Sequence, residues 1–195
     1  MAADPIAALL EVVKCFEEIG LPYAIGGSVA SSVHGEPRAS ADADLIVELA
    51  EHQLPDLVAG LQGTFYVPDD AAREAIRRAS SFNVIHLDSA YKVDIFVAGP
   101  DTLDREQLRR RELVVIAADP DARAFVTAAE NVVLRKLDWF RKGGGVSDLQ
   151  WRDVLGVLKV QGPALDVAYL RDIARQVGLE TLLDQAMSEA GLDLG

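Results

Sequence analysis

Two aspartates, Asp42 and Asp44, stand one residue apart where the chain turns apolar, in Asp42-Ala43-Asp44-Leu45-Ile46-Val47. Carboxylates are rarely buried without a partner, so acids at the head of an apolar run need a cation or a strong donor nearby. Residues two apart in a strand point the same way. With a buried strand expected from Asp44 to Leu49, both carboxylates face one side and can clamp a divalent cation. Oxygen donors suit Mg2+, which takes one or two carboxylates and leaves places for phosphate oxygens and water. Asp94 repeats the arrangement as the lone acid of Lys92-Val93-Asp94-Ile95-Phe96-Val97. If that strand neighbours the first, three carboxylates converge, and such a set can hold two ions ~3.5–4 Å apart for in-line phosphoryl displacement. Gly26-Gly27-Ser28 precedes Asp42 with 13 residues between. Its glycines would let backbone approach a phosphate at a helix N-terminus, where free N–H groups and the helix dipole favour anions.

The bulk composition sets limits on partners. With 19 basic against 31 acidic residues the formal charge is −12, which argues against a broad DNA-binding surface and against anionic membranes. A nucleotide or RNA end held locally through metal ions remains compatible. Half of the 195 residues are apolar, enough for one domain, or for a core with a small appendage. The lone Cys15 cannot form an internal disulfide and reads as a small hydrophobe on the first helix. The N-terminus lacks a basic region and a long apolar core, and no apolar run approaches the ~18 residues of a membrane span, so a cytoplasmic protein is expected.

Along the chain, Asp4-Pro5 predicts an N-cap and first helical residue, with a helix ending at Gly20-Leu21-Pro22. Tyr23-Ala24-Ile25 is strand-like, and Ser28 is expected to cap a short helix to about His34. Helices are expected over Leu54 to Leu61, Asp69 to Arg78 and Asp101 to Arg111. Strands are expected at Thr64 to Val67, Phe82 to Leu87 and Lys92 to Val97, the last two as a hairpin. Leu113 to Ile116 is expected as the last strand. After Ala117-Ala118-Asp119-Pro120 the pattern turns to helices only. Thr127-Ala128-Ala129-Glu130 reads as a capping box for a helix to Lys142, and Ser147 as the cap of another to Val160. Two further helices, Asp166 to Val177 and Leu179 to Ala190, follow. The division is an α+β core over residues 1–119 and a helical C-terminal domain over 120–195 packed on it.

Taken together, the Gly-Gly-Ser, the Asp-x-Asp and the later strand aspartate resemble the DNA-polymerase-β-like nucleotidyltransferase superfamily. HGEPRASADADLIV (His34 to Val47) looks like the minimal branch around the AbiEii-type toxins, with Ser40 where threonine is commoner. ENVVLRKLDWF (Glu130 to Phe140) and WRDVLGVL (Trp151 to Leu158) resemble two helical motifs of that branch. The resemblance implies a nucleotidyltransferase fold, a mixed sheet flanked by helices, with a C-terminal helical bundle. It implies Mg2+-dependent transfer of a nucleoside monophosphate from an NTP to an acceptor hydroxyl, with two ions expected when substrate is bound. Asp42, Asp44 and Asp94 would be the metal ligands and catalytic residues, Asp94 also helping to deprotonate the acceptor. Gly26, Gly27 and Ser28 would hold the triphosphate, assisted by Lys136, which Asp153 would position, and by Arg38.

A tRNA end is one acceptor the resemblance suggests, in a toxin-like role with an antitoxin protein as partner. A small cationic molecule of the aminoglycoside kind is another, since an acidic surface suits it. A non-catalytic, partner-binding module that keeps the fold is the third reading. Lys136 also reads as a lysine covering apolar surface, and Arg38 equally as a partner for an aspartate. Lys92 lies two residues from Asp94, and Arg109-Arg110-Arg111 is the one basic cluster, read as a solvated helix end. Trp139-Phe140 and Trp151 read as contacts between helices, and the three histidines show no metal-binding spacing.

Overall fold

The computed structural model describes residues 5–40, 42–118 and 121–192. Helix α1 (Pro5–Glu18) buries Leu9, Val12, Val13 and Phe16 along one stripe, the spacing of an amphipathic helix. The expected cap at Asp4 lies outside the described residues. Strand β1 (Tyr23–Ile25) leads directly into α2 (Gly27–His34), and β2 (Asp42–Val47) carries the two aspartates. Then follow α3 (Leu54–Leu61), the short β3 (Phe65–Tyr66) and α4 (Asp69–Arg78). Strands β4 (Ser81–His86) and β5 (Lys92–Val97) form the expected hairpin, and α5 (Thr102–Arg109) starts from an Asp101 cap.

The chain then departs from its sequence pattern. Strand β6 (Glu112–Ala118) is not the last; β7 (Asp121–Val126) turns back antiparallel to it. Asp121-Ala122-Arg123 is a poor strand opening, and the preceding proline reads as a stop, so local propensity concealed it. Its value is tertiary: Ala124 and Val126 are fully buried, and β7 lies parallel beside β1 through Ile25 and Val126. The resulting seven-stranded mixed sheet has the order β3-β4-β5-β2-β1-β7-β6.

Helices α6 (Ala129–Lys142), α7 (Asp148–Gln161), α8 (Val167–Val177) and α9 (Glu180–Glu189) complete the chain. Ser147 caps α7 as its sequence predicts, and Asp166, expected as the first residue of α8, is instead its cap; both accept backbone N–H bonds. Two expected caps do not form. The α2 N-cap is Gly26 rather than Ser28, which lies inside the helix. The α6 N-cap is Ala128; Glu130 reaches away to accept the Asp166 N–H at 2.9 Å, so the capping box is absent.

The two faces of the sheet divide structure from site. Ala43, Leu45 and Val47 of β2, with Val93 and Ile95 of β5 and Val84 of β4, are solvent-free and join the core shared with α1 and α3. Asp42, Asp44 and Ile46 alternate with them and face the opposite side, as Asp94 and Phe96 do on β5. The second face is covered in part by α2 and α5, and Trp139 of α6 packs against Phe96 on it. Among the described residues no helix is long and apolar enough to cross a membrane.

Candidate active site

Strands β2 and β5 are parallel neighbours, with Asp44 level with Asp94 and Asp42 level with Lys92. The register therefore gathers the three aspartates on one face, as the spacing predicts. Asp44 lies between the other two and against the α2 N-terminus. Burial, then the charges of Asp42 and Asp94, push its carboxyl up to about 6, against the pull of Lys136 and of a hydrogen bond from the Ser28 N–H. Lys92, two residues from Asp94 on the same face, bonds it at 2.8 Å. That bond, ahead of the attraction of Asp94, Asp42 and Asp44 for the ammonium, raises the Lys92 pKa although desolvation opposes it.

Glycine is required at one point. Gly27 adopts φ +52°, and a Cβ there would lie 1.6 Å from Oδ2 of Asp44. Its missing side chain is what lets the α2 N-terminus close on the carboxylate, while the Gly26 N–H donates to the Asp44 carbonyl at 2.8 Å. Gly27→Ala should therefore displace Asp44 and destabilise the fold by about 1–3 kcal/mol. Gly26→Ala should be nearly neutral, since a Cβ there meets nothing nearer than 3.9 Å. Urea denaturation of the two variants checks this; equal stabilities would contradict the close approach.

A hydroxyl relay leads to the other aspartate. Ser28 Oγ donates to Ser40 Oγ at 2.8 Å, and Ser40 donates to Asp42 at 3.1 Å. A cavity of about 240 Å3 opens beside it, lined by Ser28, Ser32, Arg38, Ser40 and Tyr91. The Tyr91 phenol is pushed up to about 12 by burial and then by the charges of Asp42 and Asp44. Nothing in the sequence singled out Tyr91, which sits in the turn of the β4–β5 hairpin. Ala90 before it adopts φ +56°.

Lys136 and Asp153 meet across the α6–α7 hairpin at 2.8 Å, both side chains nearly solvent-free. Arg38 joins them with two bonds of 3.0 Å to the same carboxylate. The approach is close because α2 ends against α7, where a Cβ on Gly35 would lie 2.8 Å from the Val157 nitrogen. Although burial opposes it, the bonds from Arg38 and Lys136 hold Asp153 below the usual carboxylate range. One acid faces two cations, so the cluster keeps a positive charge, and Lys136 exerts it on Asp44.

The remaining candidates separate from the site. Arg109 pairs with Glu106, Arg110 bonds Asp166 and lies 3.9 Å from the Tyr169 ring centre, and Arg111 donates to the Leu108 carbonyl. The basic cluster is thus tied into the fold. Phe140 and Trp151 pack at 5.0 Å between helices, as expected. Trp139 instead lies 5.7 Å from Phe96, and the two line a small cavity of about 50 Å3 with Gly27, Asp44, Ile46 and Arg135. Alternation from Asp94 would have found Phe96; no sequence signal brings Trp139 to it.

Among the described residues no group of three His, Cys, Asp or Glu side chains is drawn together closely enough to hold a metal ion. The donor set nonetheless suits a hard cation. Asp42, Asp44 and Asp94 offer only oxygen, and their mutual repulsion at Asp44 is the kind a divalent ion relieves.

No family model matches the chain, and no curated protein matches it. Solved structures do. One is the solution structure of the antibiotic-resistance factor ANT(2'')-Ia, at 13% identity and a TM-score of 0.56 over 95% of this chain and 100% of that one. An antigenic nucleotidyltransferase-like protein from Paracoccidioides brasiliensis aligns at 12% identity and 0.51, over 94% and 90%. The lincosamide antibiotic adenylyltransferase LnuA, lincomycin-bound, aligns at 12% and 0.51, over 79% and 96%. Likeness at these identities speaks for the fold, and the fold of this chain is that of the nucleotidyltransferases.

Proposed function

We propose that the protein is a nucleotidyltransferase that moves a nucleoside monophosphate from an NTP to an acceptor hydroxyl. The observation carrying this reading is the register that sets Asp42, Asp44 and Asp94 on one sheet face, beside the α2 N-terminus, in a nucleotidyltransferase fold. In the transfer the acceptor oxygen bonds to the α-phosphorus as the bond to the bridging oxygen breaks. Pyrophosphate leaves, and the acceptor proton passes to Asp94. Gly26, Gly27 and Ser28 hold the triphosphate, with Arg38 and Lys136 supplying positive charge. Asp42, Asp44 and Asp94 are the residues that would hold Mg2+, which when bound neutralises charge developing on the phosphoryl oxygens.

The test is thermal denaturation with each NTP, with and without Mg2+, on the wild type and Asp44→Ala. A Mg2+-dependent rise with one NTP, absent from the variant, is expected; at a hundredfold excess over Kd it corresponds to about 2.7 kcal/mol. No rise with any NTP would overturn the reading.

Two acceptors have support. The helical segments resembling AbiEii-type toxins favour a tRNA end, with an antitoxin as protein partner. The charge of −12 and a second ANT(2'')-Ia structure, in complex with adenylyl-2''-tobramycin, favour a small cationic acceptor, and we take this as the better supported. That complex aligns at 15% identity with a TM-score of 0.54, over 88% of this chain and 97% of that one. Transfer to tRNA should collapse between roughly 50 and 200 mM salt as counterion release is lost, whereas transfer to a small molecule should fall only modestly.

A further inference from the structure

Asn83 stands on β4 level with Asp94, and Asp94 stands on β5 level with Asp44. Directly paired residues on neighbouring strands point to the same face, so Asp44, Asp94 and Asn83 form one row across three strands, each about 4.8 Å from the next. The row has a direction. At its Asp44 end lies the α2 N-terminus, where Gly27 touches the carboxylate and Ser28 begins the hydroxyl relay. At its other end Asn83 is half-buried, and its side-chain amide has no hydrogen-bond partner among the described residues. Asp94 between them is held by Lys92.

From this row we infer that Asn83 binds the acceptor, donating to or accepting from a polar group beside the hydroxyl that attacks. The inference rests on the nucleotidyltransferase reading. In-line displacement puts the attacking oxygen opposite the leaving pyrophosphate. With the triphosphate at the α2 end, the acceptor must enter from the β5–β4 side, where Asp94 takes its proton. The next polar group outward on that face is the Asn83 amide. An amide both donates and accepts, so it suits a hydroxyl flanked by a second hydroxyl or an amine. Both an amino sugar and a terminal ribose present that pattern.

The test compares wild type, Asn83→Ala and Asn83→Gln in transfer to two probes, tobramycin and bulk tRNA, with the NTP chosen by the Mg2+-dependent stability rise. Asn83→Ala should raise the acceptor KM about tenfold, the equivalent of one lost hydrogen bond. The NTP KM and the NTP-dependent stability rise should stay at wild-type values, and Asn83→Gln should recover part of the loss. The melting temperature should hardly change, because the amide bonds nothing in the folded chain. Whichever probe the wild type labels identifies the acceptor type. An unchanged acceptor KM in Asn83→Ala overturns the inference while leaving the proposed function intact. So does loss of NTP binding, which would put Asn83 at the nucleotide end. A wild type that binds no NTP and labels neither probe takes down the proposed function and this inference with it.

Discussion

Asp44→Asn is expected to abolish nucleotidyl transfer and, at pH 8, to make the protein more stable by about 3 kcal/mol. The magnitude follows from a carboxyl raised from 3.8 to about 6, at about 1.36 kcal/mol per unit. The sign follows from which state binds the proton. Below about pH 4 Asp44 is protonated in the folded and unfolded chains alike, and burial costs it nothing. Between about pH 4 and 6 the unfolded chain releases the proton that the folded chain keeps, so folding loses stability as pH rises. Above about 6 the full cost of a buried, repelled carboxylate is present. Wild type and variant should thus have similar urea midpoints at pH 4 and separate progressively to pH 6, with a constant gap beyond. A variant less stable than wild type at pH 8 would show that Asp44 is held by favourable contacts rather than against repulsion.

The same carboxylate explains why so much positive charge borders the site. Lys92 bonds Asp94, and Lys136 acts on Asp44 from its ion cluster with Arg38 and Asp153. A chain of net charge −12 has placed these cations around three aspartates. A carboxyl perturbed by desolvation and like charge inside a cleft is a candidate functional acid. On the proposed function, stability is given up at Asp44 to keep a negative face ready for a cation.

How much of this was legible in the sequence depended on the range of the interaction. Alternation put Asp42 and Asp44 on one side, and the apolar run after them marked a buried strand. That Asp44 and Asp94 lie level depends on β5 pairing with β2 in parallel, across an intervening α3, β3, α4 and β4. Strand order has no local code, so Asn83 in the same row was invisible. Strand β7 was missed because its pairing with β1, ninety or more residues away, overrides weak propensity in Asp121-Ala122-Arg123. The caps failed for another reason. Ser28 has the right chemistry two residues past the cap position, because Gly27 must start α2 to clear Asp44. Glu130 has the right spacing, but a tertiary partner, the Asp166 N–H, takes its carboxylate. Lys136 and Asp153 were readable as a pair because they occupy facing positions of one helix hairpin, whereas the Arg38 contribution needed the close passage at Gly35.

That cluster carries the other large effect. Asp153→Ala should destabilise the protein by about 3–5 kcal/mol, because it leaves the Lys136 ammonium buried and Arg38 without its carboxylate. Lys136→Met should cost markedly less: Asp153 then keeps both Arg38 bonds, and a methionine fills the space of the lysine stem. Pairing Lys136→Met with Asp153→Leu should recover much of the single Asp153 loss, since no unpaired ion then remains except the partly exposed Arg38. Urea denaturation of the three variants at pH 7 measures these differences. The coupling between the two sites should exceed about 1 kcal/mol, as expected for groups in direct contact. A structural ion pair would end there, whereas this one should also be felt at the carboxylates. Lys136 lowers the pKa of Asp44, so in Lys136→Met the Asp44 carboxyl should titrate above its wild-type value of about 6. Side-chain carbon NMR of Asp44 reads that shift. If Asp153→Ala destabilises as expected but Asp44 titrates unchanged in Lys136→Met, the α6–α7 pair is a bolt between helices and does not belong to the electrostatics of the site.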